Sequence, residues 1–167
     1  MYVGRPLPHK NLARLIDAFG ILQKEFPDLY LVLAGKKDAL YEEHELRVKQ
    51  LSLKNVIFTG FVSEGELRWL YENTACYVFP SLSEGFGLPG LEAMTHGAVV
   101  ASSNATCLPE IYQDAAAYFN PQDPVQIAMV VKDILNNPDY VNKIRTKARE
   151  RVICFSWEKM AKETLAV

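Results

Sequence analysis

The chain has 167 residues, of which 49% are hydrophobic, 23% charged and 11% aromatic, with 9 Gly, 9 Pro and 3 Cys. A chain of this length buries roughly 70% of its unfolded surface, so the composition excludes disorder, collagen and a disulfide scaffold and points to one domain. Lys and Arg number 18 against 20 Asp and Glu, a net charge of −2 that is too balanced for a general nucleic-acid or membrane-surface binder. No apolar run approaches the ~20 residues that cross a bilayer.

Cys76, Cys107 and Cys154 are odd in number and widely spaced, without a C-x-x-C pair. They read as small apolar side chains in a reducing, cytoplasmic setting. Met1-Tyr2-Val3-Gly4 is a strand-like stub without the basic stretch and apolar core of a signal peptide, and reads as internal to something longer.

Short runs rich in Val, Ile, Leu, Tyr and Phe alternate with segments of helical period. The first strand is expected at residues 1–4, followed by a helix whose Leu12, Leu15, Ile16, Phe19 and Leu22 form one buried stripe. Residues 29–34, closed by Gly35, read as a strand buried on both faces. A polar helix at about 40–51 and a strand at 56–59 come next. Ser63 and Glu66 form a capping box, with Val62 and Leu67 placed for a hydrophobic staple. The fourth strand spans 75–79, and Pro89 opens a helix that runs to about His96 and is ended by Gly97. A fifth strand at 98–102, a short helix at 108–112 and a sixth strand at 116–119 follow. Asp123-Pro124 starts a helix that Asn137-Pro138 stops, and the remainder is helical with a break near Phe155-Ser156.

Strands alternating with helices require a parallel sheet with right-handed crossovers. The expected fold is therefore α/β: a doubly wound, Rossmann-like domain with six parallel strands in the order 3-2-1-4-5-6 and helices on both faces. Ligands of such sheets lie outside the carboxyl ends of the strands, near the switch in strand order.

The loop after the fourth strand, P-S-L-S-E-G-F-G-L-P-G-L-E at residues 80–92, carries the strongest chemical signal. Gly85 and Gly87 permit close approach of backbone to a ligand, and the helix opening near Leu88 offers free N–H groups to a phosphate or pyrophosphate. Glu84 and Glu92, separated by seven residues, suit the vicinal hydroxyls of a ribose or hexose, because a carboxylate accepts two hydroxyl hydrogen bonds at once. Glycine before a helix is also a common tight turn, and either acid alone reads equally as a solvated surface group. If the strand order is 3-2-1-4-5-6, the loop after the first strand places Arg5 and Lys10 beside this one, as a fork and a point charge facing one diphosphate without a metal. Either cation alone reads equally as an exposed loop charge. No D-x-D metal-bridging motif occurs.

Together these residues resemble the carboxyl-terminal, donor-binding half of the retaining GT-B glycosyltransferases called glycosyl transferases group 1. The matching stretches are V-G-R-x4-K-N-L at 3–12, V-I-F-T-G-F-V at 56–62, P-S-L-S-E-G-F-G-L-P-G-L-E-A-M at 80–94 and L-P-E-I at 108–111. The resemblance implies that Arg5 and Lys10 bind the donor diphosphate and that Gly85, Phe86, Gly87 and Leu88 line phosphate and donor sugar. It also implies that Glu84 serves the transferred sugar's hydroxyls and, with Arg5 and Lys10, the chemistry. Glu92 would hold the ribose, with Phe61 and Val62 against the base. The implied activity is metal- and cofactor-free transfer of a hexose, mannose or glucose, from a UDP- or GDP-linked donor with retained configuration, the donor phosphate helping to deprotonate the acceptor. The partners expected are the nucleotide-sugar and an amino-terminal acceptor domain missing from these 167 residues, with no nucleic acid and no transmembrane segment, and with room for peripheral membrane contact by the full-length protein. Without that half the chain is expected to transfer nothing. A non-catalytic nucleotide-sugar-binding module and a GT-B-fold nucleotide-sugar epimerase fragment are the alternatives.

One departure from the family pattern is Ala98, where proline is common. His9, His44 and His96 are expected at the surface, Trp69 and Trp157 in core or interdomain packing, and the segment after Ser156 as a terminal helix that frays alone.

Overall fold

The structure, a computed structural model, describes residues 1–166. In chain order it contains β1 (Tyr2–Val3), α1 (Leu12–Leu22), β2 (Leu31–Ala34), α2 (Ala39–Gln50), β3 (Val56–Gly60), α3 (Glu64–Asn73), β4 (Tyr77–Phe79) and α4 (Leu88–Thr95). Then follow β5 (Val100–Ser103), α5 (Leu108–Tyr112), β6 (Ala116–Phe119), α6 (Pro124–Asn136), α7 (Pro138–Val152) and α8 (Trp157–Leu165). The alternation is the expected one, with β1, β2 and β4 shorter than their apolar runs because only the paired stretches are strand.

The strands form two parallel three-stranded sheets, β1-β2-β3 and β4-β5-β6. They meet at Met1, whose nitrogen donates to the Cys76 carbonyl at 2.7 Å and whose carbonyl accepts from the Val78 N–H at 2.8 Å. Bonds to the residues on either side of Tyr77 are the parallel ladder pattern. They set β1 beside β4, which is consistent with the expected order 3-2-1-4-5-6 across the two sheets.

Side chains that alternate along a strand point to opposite faces, and the core divides accordingly. Val78, Ala101, Ala117 and Phe119 pack with α1 and α6 through Leu12, Ile16, Ile127 and Val131. Tyr77, Phe79, Val100 and Ala116 face the other way, against Leu91, Met94, Leu108 and Tyr112 of α4 and α5. All five residues of the expected α1 stripe are buried. The Ser63–Glu66 capping box is formed, the Ser63 N–H donating to Glu66 Oε2 at 2.7 Å and the Glu66 N–H to Ser63 Oγ at 3.4 Å.

Several single-residue expectations are corrected. Trp69 and Trp157 are 62% and 72% exposed, so neither belongs to the core of this chain. Only His9 is fully at the surface; His44 and His96 are half-buried, His96 stacked on the Tyr71 ring at 5.9 Å. Cys76 is buried as a small apolar side chain would be, Cys107 is half-buried, and Cys154 is exposed. The terminal α8 is formed, with Ser156 capping it, and has no buried residue.

Two non-glycine residues are held at positive φ by hydrogen bonds, Asn11 among the carboxyl-end loops and Gln113 at the entrance to β6. Asn11 adopts φ 61° at the start of α1 and is 4% exposed. Its Nδ2 donates to the carbonyls of Pro80 at 2.9 Å and Pro121 at 2.7 Å, while its Oδ1 accepts from Arg14 at 2.9 Å. One side chain thus ties the loops after β1, β4 and β6. Gln113, at φ 49° and ψ −127°, occupies the conformation of the first central residue of a type II′ turn, which favours glycine. Its N–H donates to Pro109 and its carbonyl accepts from the Tyr118 hydroxyl at 2.6 Å, so it cannot relax.

Asn11→Ala strands two buried carbonyls and is expected to cost about 2–4 kcal/mol in denaturant unfolding. Asn11→Asp, which keeps the shape and loses both donors, should be comparably destabilised; a near-neutral Asp variant would show the bonds to be unimportant. Gln113→Gly should stabilise by about 0.5–2 kcal/mol through release of backbone strain, read as a higher melting temperature.

Candidate functional site

Because every strand is parallel, the loops after β1, β3, β4 and β5 emerge at one end of the sheet. Those after β1 and β4 are adjacent because β1 and β4 are. The Leu82 N–H donates to the His9 carbonyl at 2.7 Å, and Lys10 Nζ meets Glu84 Oε1 at 2.6 Å. The two side chains are only 19% and 12% exposed. Lys10 also lies 5.6 Å from the centre of the Phe79 ring, a cation–π distance. Glu84 is therefore not a solvated loop acid. Its N–H donates to Thr106 Oγ1 at 3.2 Å and its carbonyl accepts from Cys107 Sγ at 3.3 Å, so the loop after β5 supports it from behind.

Arg5 lies apart from this pair. Its Nε donates to Asp38 Oδ2 at 3.0 Å, and its side chain is 65% exposed. The hydrogen bond from Arg5 holds the Asp38 carboxyl below the usual range, and Asp38 Oδ1 caps α2 through the Leu40 N–H at 3.1 Å. A single nitrogen of the guanidinium is engaged, and its other donors have no partner among the described residues. The structure thus joins one basic residue to one acid of the other loop and leaves the second cation exposed at the rim.

The start of α4 is open. Asp38, Ser63, Asp123, Asn137 and Ser156 cap α2, α3, α6, α7 and α8 with side-chain oxygens, whereas α1, α4 and α5 begin without a side-chain cap, α4 at Gly87. Among the described residues, the backbone N–H groups of Gly85, Phe86, Gly87 and Leu88 donate to no protein acceptor. Four consecutive free donors at the positive end of a helix dipole are available to an anion. Gly87, at φ 95°, is required both by conformation and by space, since a Cβ there would fall 2.6 Å from Leu108 Cδ2. Phe86 packs edge-on against Phe155, with ring centres 5.7 Å apart.

Glu92 is exposed one turn into α4, on the side of Tyr71, whose phenol is pushed well up by burial and further by the Glu92 charge. Phe61, 83% exposed, and the half-buried Val62 follow β3 at the same end of the sheet. Leu88 is 45% exposed beside the free donors.

Tyr112 escaped the sequence reading. It is wholly buried beneath α4, and its hydroxyl donates to the Gly87 carbonyl. Burial pushes its phenol far above neutral pH, so it stays a donor. The signal was present in Gly87 and Gly90: two glycines three apart lie on one face of a helical turn and leave room for a bulky side chain from elsewhere.

A model of the family described as Glycosyl transferases group 1 matches residues 1–151. The serotype-specific mannosyltransferase WbdA of Escherichia coli is 39% identical over 158 residues, covering 92% of this chain and 19% of that protein. O-antigen chain mannosyltransferase B of Escherichia coli is 31% identical, covering 99% of this chain and 44% of its own length. The chain thus spans less than half the length of either relative. Among solved structures, sucrose-phosphate synthase from Thermosynechococcus elongatus matches with a TM-score of 0.86 and 28% identity, over 98% of this chain and 42% of that one. The carboxyl-terminal domain of a group 1 family glycosyl transferase, LpcC, from Francisella tularensis matches at 0.78 and 29% identity, over 92% of this chain and 82% of that one. With a GT-B-like α/β fold and a family match over nearly its whole length, the chain belongs to the glycosyl transferases group 1 family.

Proposed function

We propose that these residues form the donor-binding half of a retaining hexosyltransferase that takes mannose from a nucleotide-mannose, its nucleotide being GDP or UDP. The observation that carries this reading is the run of four unpaired N–H groups at residues 85–88, set against the Lys10–Glu84 pair. Mannosyltransferase relatives at 39% and 31% identity support mannose over glucose. Coverage of 19% to 44% of those relatives supports an acceptor-binding half elsewhere in the protein.

The chemistry follows from charge. As the bond from the sugar's anomeric carbon to the donor phosphate breaks, negative charge grows on the leaving diphosphate. Preorganised N–H donors and a helix dipole stabilise charge where it develops, without a metal. Arg5, exposed and engaged through one nitrogen, turns from Asp38 to add a planar fork. Glu84, held by Lys10, Thr106 and Cys107, accepts from sugar hydroxyls, and Glu92 accepts from the ribose diol. Phe61 and Val62 lie against the base. The donor phosphate takes the acceptor's proton, so no side-chain base is required of this half. A cytoplasmic location fits a nucleotide-sugar substrate.

Calorimetric titration with GDP, UDP and their mannose and glucose conjugates, with and without EDTA, tests the reading. Diphosphate binding insensitive to chelator is expected. Arg5→Ala should weaken it by about 1.5–3 kcal/mol, the range for a charge-assisted hydrogen bond, and Glu92→Gln should weaken it through the ribose. Unchanged binding in both variants would move the site elsewhere. The 167-residue chain by itself should transfer no sugar, because transfer needs donor and acceptor oriented across a cleft; sustained turnover by it would refute the two-half reading.

A further inference from the structure

Each trans peptide unit points its C=O and its N–H in opposite directions. A side chain that grips a carbonyl from inside the protein therefore aims the next residue's N–H outward. Both ends of the 85–88 run are gripped in this way. The Glu84 carbonyl accepts from Cys107 Sγ at 3.3 Å, and the peptide it belongs to carries the Gly85 N–H. The Gly87 carbonyl accepts from the Tyr112 hydroxyl, and its peptide carries the Leu88 N–H. Cys107 and Tyr112 stand at the two ends of α5, whose Leu108 and Ile111 are packed in the core between them.

Tyr112 is the stronger grip. An O–H to carbonyl bond outweighs a thiol donor, and the Gly87 carbonyl also accepts from the Gly90 N–H at 3.1 Å, which locks the first turn of α4. The fit is tight: a Cβ at Gly90 would fall within 3.0 Å of the Tyr112 ring at Cε1 and closer still to its hydroxyl end. α5 is in turn anchored by Arg151, which donates to the carbonyls of Ile111 at 2.6 Å and Glu110 at 3.1 Å.

We propose that α5 is a bracket that aims the diphosphate-binding N–H groups and that Tyr112 is its principal positioning residue, acting on the donor through the Gly87–Leu88 peptide. The inference rests on the reading of residues 85–88 as the diphosphate cradle. It assigns a role to a residue that touches no substrate.

The test compares binding of GDP with guanosine, and UDP with uridine, by NMR titration of the 167-residue chain and its Tyr112→Phe variant, each checked for folding by circular dichroism. Loss of the grip is expected to reduce the diphosphate's advantage over its own nucleoside about five- to tenfold, the equivalent of one hydrogen bond, with nucleoside binding within twofold of the original. A merely structural tyrosine would lower both affinities together or neither, and either result would overturn the proposal. Gly90→Ala, which displaces the phenol while keeping its hydroxyl, should reproduce the same selective loss and decides the matter if Tyr112→Phe does not fold. An unaltered chain that shows no preference for diphosphate over nucleoside would instead overturn the reading of the cradle, a result distinguishable from failure of Tyr112 alone.

Discussion

The site depends on β1 lying parallel and adjacent to β4. Two hydrogen bonds of Met1, to Cys76 and Val78, are the seam between the two three-stranded sheets. With that seam in place, parallel strands deliver the loop bearing Lys10 and the loop bearing Glu84 to the same edge. Without it, residues 74 positions apart in sequence would have no reason to meet. The seam is short, and the loops reinforce it: a backbone bond from Leu82 to His9 and two buried side-chain bonds from Asn11 to Pro80 and Pro121 hold the carboxyl ends together.

Electrostatics at this edge is arranged by subtraction. Lys10 and Glu84 cancel one another, and a poorly exposed pair of this kind contributes little net stability because desolvation offsets attraction. Its value is geometric, since it fixes where the Glu84 carboxylate sits. Arg5 is paired with Asp38, which also caps α2, and the start of α4 adds unpaired backbone donors at the same edge. Backbone donors would suit the leaving diphosphate of the proposed reaction, because fixed dipoles need no reorganisation as charge develops.

The support behind that backbone is a continuous set of contacts. Arg151 stacks over Phe155 at 4.8 Å and donates to the end of α5; Phe155 packs on Phe86 within the loop. The last turn of α7 and the approach to α8 therefore bear on the same loop that Tyr112 grips from below. Ile153 and Trp157 at this junction remain exposed.

The sequence by itself determined the order of the elements, the helix starts at Ser63, Pro89 and Asp123, the α1 stripe and the acidic glycine-rich loop, because capping chemistry and hydrophobic period are local properties of the chain. The resemblance of four stretches to one family added the roles expected of Arg5, Lys10, Glu84 and Glu92. Only the tertiary structure decided the partnerships. It paired Lys10 with Glu84 and Arg5 with Asp38, gave Asn11 its two carbonyls, put Tyr112 under α4, and left Trp69 and Trp157 exposed. Each of these joins or separates residues on different elements. No periodicity within one segment reports which side chain another segment will bring against it, and that choice is made when the faces of the sheet are filled.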